Sequence, residues 1–168
     1  DECAMCVSNT IGFVLGKNDL ALMKKLIKAG SDHRKFMRQI FVSVDITAPL
    51  YWWKEFDTYK VATVSNSCST MHKIHDKEFT LEDFSYEQLI NDEDMSYFGS
   101  EWYSPRDILK IVIATLNGAR TRYLVEKENG ADEHTLKRYW WQMIQLLPSS
   151  YNQRRTITLN YETLYNIY

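Results

Sequence analysis

Cysteine is scarce in this chain of 168 residues: Cys3, Cys6 and Cys68 are all it has. An odd, small number argues against a disulfide framework and fits a reducing cytoplasm. Charge of one sign is lacking too. With a formal net charge of −2, nothing marks a nucleic-acid or membrane-surface binder. No apolar run approaches the ~18 residues of a membrane helix, and no secretory signal is visible. There is no GxGxxG, no P-loop and no HExxH, which removes the common dinucleotide, phosphate-loop and zinc-protease fingerprints. Internal repeats and low-complexity tracts are missing as well. The first residue is Asp1 rather than Met, which suggests that a leader or disordered start precedes it.

What is present is an ordinary globular composition, 45% hydrophobic and 25% charged. The length suits a single domain over 1–168 with a substantial core. Aromatic residues reach 14%, with eleven Tyr and five Trp, side chains that serve cores, subunit interfaces and stacking surfaces alike.

Along the chain, Asn18 or Asp19 can cap a first helix whose stripe is Leu20, Met23, Leu26 and Ile27, ended by Gly30. A basic turn, Ser31–Arg38, leads to Ile40, Val42, Val44 and Ile46, which alternate with their neighbours as a strand with one apolar face. Pro49 opens a helix to about Tyr59, with Leu50, Trp53 and Phe56 inward. Val61–Thr70 is small, polar and without helical period, so a loop or irregular extended segment is expected. Thr80–Asp83 and Ser85–Gln88 read as helix starts, and Asn91–Asp94 as a solvated acidic turn. Ser104-Pro105-Arg106-Asp107 opens the strongest helix. Ile108, Ile111, Val112, Thr115, Ala119 and Tyr123 share its face, Leu109, Ile113 and Leu116 widen it, and Gly130 stops it. Asp132 caps another helix bearing Leu136, Tyr139, Trp140, Met143, Ile144 and Leu147, and Pro148 ends that one. A polar turn with Arg154 and Arg155 precedes a short strand, Thr156–Leu159, and a last helix from Tyr161. Helices dominate and alternate irregularly with few strands, which makes the fold class α+β.

Chemistry-bearing groupings are few. Cys3 and Cys6 form a CxxC; redox, zinc and buried-apolar readings are open, the last being favoured. Cys68 and His72, four apart, would pair as thiolate and imidazole on a helix, but an ordinary thiol near a surface histidine fits the segment better. The hydroxyl- and amide-rich run from Thr63 to Thr70 can hold a phosphate or be a solvated turn. His33, Arg34, Lys35 and Arg38 form a basic cluster, read as an anion site or, preferentially, as a solvated face or partner of acidic turns. No catalytic residue and no metal ligand set is assigned.

Taken in order, these pieces resemble the flavin-dependent thymidylate synthase family. That family runs from a small-residue segment ending in Val-Ser, through a helix closed by Gly and a strand ending near Ala-Pro, to an aromatic helix and the signature RHRxxSxNExSxRY. A long helical region then leads to Leu-Pro and an Asn that opens the last helix. Here the counterparts are Cys6–Ser8, Asp19–Gly30, Ile40–Pro49, Leu50–Lys60, Leu147-Pro148 and Asn160, with LIKAG before the strand and NYETL after the loop. The resemblance covers Cys3 to Tyr168 as order and spacing rather than identity. It implies long central helices with a small, mainly antiparallel sheet, in a cytoplasmic homotetramer with active sites between subunits. The reaction it implies is reductive methylation of dUMP to dTMP with FAD, a reduced nicotinamide and methylenetetrahydrofolate.

Carried over residue by residue, the resemblance places flavin contacts at Tyr59, Lys60, Val61, Asn160 and Asn166. It places nucleotide contacts at Ser65, Asn66, Ser67, Cys68, Thr70 and, as a nearby substitute cation, Arg154. The departures fall on the chemistry. The family's Arg-His-Arg clamp is Thr58-Tyr59-Lys60, its Asn-Glu is Ser65-Asn66, its Arg-Tyr is Thr70-Met71, and its Asn-Ala-Arg is Asn160-Tyr161-Glu162. Arginine holds phosphates with a permanent, forked donor set, and truncating one such contact costs ~2–5 kcal/mol. The expectation is therefore a thymidylate synthase-like protein whose reaction is altered or lost. The alternative is a non-catalytic homo-oligomer that binds a nucleotide or small anion in the same cleft.

Overall fold

The computed structural model describes residues 14–67, 69–91 and 103–168. The readings placed on Cys3, Cys6, Cys68 and most of Asn91–Asp94 lie outside these residues. The fold is α+β, with a small antiparallel three-stranded sheet in the order β1-β3-β2. The elements are α1 (Lys17–Lys28), β1 (Phe41–Pro49), α2 (Leu50–Phe56), β2 (Val64–Ser67), α3 (Thr70–Lys73), α4 (Pro105–Glu128), α5 (Glu133–Leu146), β3 (Asn152–Asn160) and α6 (Tyr161–Ile167), with 3-10 turns at Lys35–Gln39 and Leu81–Asp83. The residues cluster into two compact units. Among the described residues, the first comprises 14–43, 59–64 and 158–168, and the second 44–58, 65–67, 69–91 and 103–157.

In the first unit, α1 begins after Gly16, which makes no side-chain cap bond, and Asp19 lies inside the first turn, so neither Asn18 nor Asp19 is the cap. None of its residues is buried, and Leu20 is exposed. The 3-10 turn and α6 pack together around buried Met37, Leu159 and Thr163. The strand register is fixed by Tyr161 N donating to Ile40 O (3.0 Å) and by a Ser43–Thr158 hydroxyl pair (3.0 Å).

The second unit holds the larger core. Ile74, Phe79, Phe84, Leu109, Leu116 and Met143 form one buried cluster, with Val112, Ile113, Tyr123, Trp140 and Tyr151 packed around it. Helix α4 starts with a reciprocal capping box between Ser104 and Asp107, and α5 with Asp132 accepting from Thr135 N. Gly130, at φ +72°, supplies the left-handed residue that ends α4. The buried seam of α4 is centred on Leu109 and Leu116; Ile108 (48% exposed) and Ile111 (45%) fall outside it. The helical period was legible, but the choice of face depends on where α5 docks. Asn117 reads the backbone of Phe79, donating to its O and accepting from its N at 2.8 Å each.

Three further expectations are corrected. Ser85–Gln88 is a turn, because Ser85 Oγ bonds the Glu87 carboxylate (3.1 Å) instead of capping a helix. Val61–Thr70, expected as a loop or irregular extended segment, is extended over Val64–Ser67 but as a regular strand, β2, all of whose residues are exposed. The polar turn expected at Arg154-Arg155 lies within β3, which starts at Asn152. β1 is the expected strand, although its apolar positions Val42 and Ile46 are only half-buried and Val44 is exposed. Pro49 caps α2, whose Trp53 and Phe56 are buried as expected; the helix ends at Phe56 rather than near Tyr59.

Met143→Ala should destabilise the protein by about 2–5 kcal/mol, since it empties a fully buried site, whereas Ile111→Ala should cost under ~1 kcal/mol. Urea denaturation of both variants tests the position of the seam, and equal losses would refute it.

Candidate ligand-binding cleft

The site is built on β3, whose side chains alternate between two faces with period two. Arg154 and Thr156 lie on the exposed face; Gln153, Arg155 and Ile157 point the other way, the last fully buried. Across from β3, Asp45 of β1 accepts from Thr156 Oγ1 (2.6 Å) and forms an ion pair with Arg154. Thr156 and then Arg154 hold the Asp45 carboxyl below its ordinary pKa.

Two clefts flank Arg154. The larger, about 280 Å³, is lined by Thr70, Lys73, Lys77, Asp83, Tyr151 and Arg154, among others. The smaller, about 240 Å³, is lined by Asp45, Asn66, Ser67, Arg154 and Thr156. In the larger, Lys77 is ion-paired with Asp83, and that hydrogen bond raises the lysine's pKa. Burial raises the Tyr151 phenol, so it stays protonated at neutral pH. Lys73, at the end of α3, makes no ion pair with any described residue.

Beneath the clefts, Arg155 is clamped. Its guanidinium lies 4.4 Å from the centroid of the buried Trp53 ring and donates to both oxygens of Asp57 (2.9 and 3.2 Å). Its Nε donates to Gln153 Oε1 (2.8 Å), while Gln153 Nε2 donates to Thr70 Oγ1 (2.8 Å). Trp53 Nε1 closes the arrangement on Gln153 O (2.9 Å).

Of the residues expected on the nucleotide side, Asn66, Ser67, Thr70 and Arg154 line these clefts. Ser65 is exposed on β2 and lines neither; Cys68 is not described. Lys73, Lys77, Gln153 and Thr156 are lining residues outside the expected set. One usable signal was Asp45, an acid inside an otherwise alternating apolar strand, which calls for a cation on a neighbouring strand.

The flavin-side expectations fall in the first unit. Asn160 is 4% exposed and caps α6: its Oδ1 accepts from Thr163 N (2.9 Å) and its Nδ2 donates to Arg38 O (3.5 Å). Val61 O accepts from Thr163 Oγ1 (2.8 Å), in a turn where Ala62 takes a positive φ. Asn166 Oδ1 accepts from Arg34 Nη2 (3.2 Å). Tyr59 is half-buried and Lys60 exposed. The basic cluster has an acid as partner, since Arg34 and Arg38 both pair with Glu162 and Arg34 also lies over the Tyr165 ring at 4.6 Å.

No family model and no curated protein matches the sequence. Among solved structures, the fold is that of a flavin-dependent thymidylate synthase. It is similar to ThyX from Helicobacter pylori complexed with FAD and dUMP, at TM-score 0.55 and 12% identity over 90% of this chain and 67% of that one. A second structure of that enzyme with FAD and dUMP, at 2.31 Å resolution, gives TM-score 0.54 and 12% identity over 90% and 66%. The chain thus spans about two thirds of their length, and at this identity the likeness is one of fold. No helix among the described residues is long and apolar enough to cross a membrane.

Hydrogen bonding to Arg38, reinforced by Arg34, holds Glu162 below its ordinary pKa. A depressed carboxyl stabilises the fold above its unfolded-state value, about 4.3, and that contribution is lost as pH falls through the lower folded value. The protection factors of the α6 amides, exchange rates corrected for intrinsic pH dependence, should therefore fall below about pH 4, and Glu162→Gln should flatten that dependence. An unchanged profile in the variant would assign the acid sensitivity elsewhere.

Proposed function

We propose that this chain is a divergent protein of the flavin-dependent thymidylate synthase fold family that binds a nucleotide or other small phosphorylated ligand in the clefts beside Arg154. The observation that carries this is the convergence of Asn66, Ser67, Thr70 and Arg154, from segments far apart in sequence, on two clefts that share one guanidinium. Arginine and lysine at such a site suit a phosphate, and the hydroxyl and amide groups beside them add orienting donors. The structural neighbours were solved with dUMP, which makes a pyrimidine nucleotide the first ligand to try.

The positions that would meet FAD do not fit it. Asn160 has both ends of its amide engaged in capping α6, Asn166 accepts from Arg34, and the forked clamp is replaced by Thr58-Tyr59-Lys60. The reading is therefore a binding protein that has lost or altered the reductive methylation, and no step through a flavin is derived. The exposed Ile108, Ile111 and Trp141 on α4 and α5 support assembly into a homo-oligomer, the tetramer that the fold resemblance implies.

Calorimetric titration with dUMP should give saturable binding that Arg154→Ala weakens by about 2–5 kcal/mol, with the melting temperature of the variant checked alongside. No heat with dUMP or inorganic phosphate would sink the reading. After incubation with FAD and removal of excess, the absorption spectrum should retain no flavin band; a retained band would overturn the loss of the cofactor. Sedimentation equilibrium should return a tetramer, and a monomer would remove the oligomer from the proposal.

A further inference from the structure

We infer that Thr70 is the directional donor of the larger cleft, set by a relay running Asp57–Arg155–Gln153–Thr70, and that the cleft therefore selects an anionic acceptor oxygen. The relay deepens the binding reading above and rests on it. Arginine can only donate, so the Arg155 Nε contact at 2.8 Å obliges the Gln153 amide to present its oxygen there. The amide nitrogen must then face Thr70, and Thr70 Oγ1, 2.8 Å away, must accept. A hydroxyl that accepts this bond keeps its own hydrogen for another partner, and no described residue takes it. Thr70 lines the cleft, so that hydrogen is available to a ligand there.

The upstream end of the relay cannot readily reverse. Arg155 donates through Nη1 to both oxygens of Asp57 and lies over the ring of Trp53, a residue 1% exposed, and Trp53 itself holds the Gln153 carbonyl. Gln153 is thus a positioning residue: it acts through the hydroxyl of Thr70. Lys73 adds a positive charge to the lining, where Lys77 is tied to Asp83 and Glu82 is the other acid. A donor hydroxyl beside an ammonium favours a phosphoryl oxygen over a neutral carbonyl.

The test is calorimetry with three probes, inorganic phosphate, dUMP and deoxyuridine, on the whole chain and on Thr70→Ser, Thr70→Val, Gln153→Glu and the Gln153→Glu/Thr70→Val double variant, each checked by circular dichroism. Phosphate and dUMP should bind and deoxyuridine should not. Thr70→Ser should keep affinity and Thr70→Val should lose it roughly tenfold. Gln153→Glu turns the amide donor into an acceptor that captures the Thr70 hydrogen. It should cause a similar loss, and adding Thr70→Val to it should cost little more. Such non-additivity is not expected of two merely structural lesions. If phosphate binds and Thr70→Val binds it equally well, the relay proposal is wrong while the binding reading stands. If the losses are additive, the relay is likewise refuted. If neither phosphate nor dUMP binds the unaltered chain, the binding reading fails and takes this inference with it.

Discussion

The middle place of β3 in a three-stranded sheet is the constraint on which the site depends. A strand paired on both edges has its backbone donors and acceptors committed to its neighbours, so its chemistry must come from side chains that alternate between two faces. On β3 that alternation sends Ile157 inward and Arg154 and Thr156 outward. A slip of one residue would exchange these sets, burying the guanidinium of Arg154 and exposing Ile157. The same register places Gln153 and Arg155 over Trp53, so the polar relay and the apolar support of α2 are fixed by one strand alignment.

The way charges are held differs between the two units. In the second, the guanidinium of Arg155 lies over an indole, sets one nitrogen, Nη1, against both oxygens of Asp57 and turns Nε to Gln153, so a single planar cation serves three partners. In the first, two arginines converge on Glu162 near the start of α6, where an acid also complements the helix dipole. The basic cluster at Arg34 and Arg38 therefore has an architectural use, and its charges are largely answered within the chain. The clefts mix the two signs, with Lys73, Lys77 and Arg154 set among Asp45, Glu82 and Asp83.

What could be read from sequence follows the range of the interactions involved. Ser104-Pro105-Arg106-Asp107, Asp132 and Gly130 announce helix ends because capping is local, and the structure uses each as expected. Fold class was legible from helical periodicity and from the order of segments. Strand β2 was not, since Val64–Ser67 is polar, wholly exposed and held by pairing with a partner far along the chain. Arg154 and Arg155 were read as turn residues for the same reason: their acids, Asp45 and Asp57, lie 109 and 98 positions away. Of the site, single residues such as Asn66, Thr70 and Arg154 could be named, but the amide of Gln153 that joins Thr70 to Arg155 had no local signature. Asn160 illustrates the opposite hazard, a residue that fits a binding motif by position while its side chain serves as a helix cap.

Ala62 sits at φ +54°, where an L-residue other than glycine pays roughly 1–2 kcal/mol of backbone strain. Thr163 Oγ1 grips the neighbouring carbonyl of Val61, so the turn cannot relax without disturbing the last helix. In a library covering every position, this site should invert the usual ranking: glycine and asparagine would be enriched there, and valine, isoleucine and threonine purged, although the residue itself is exposed.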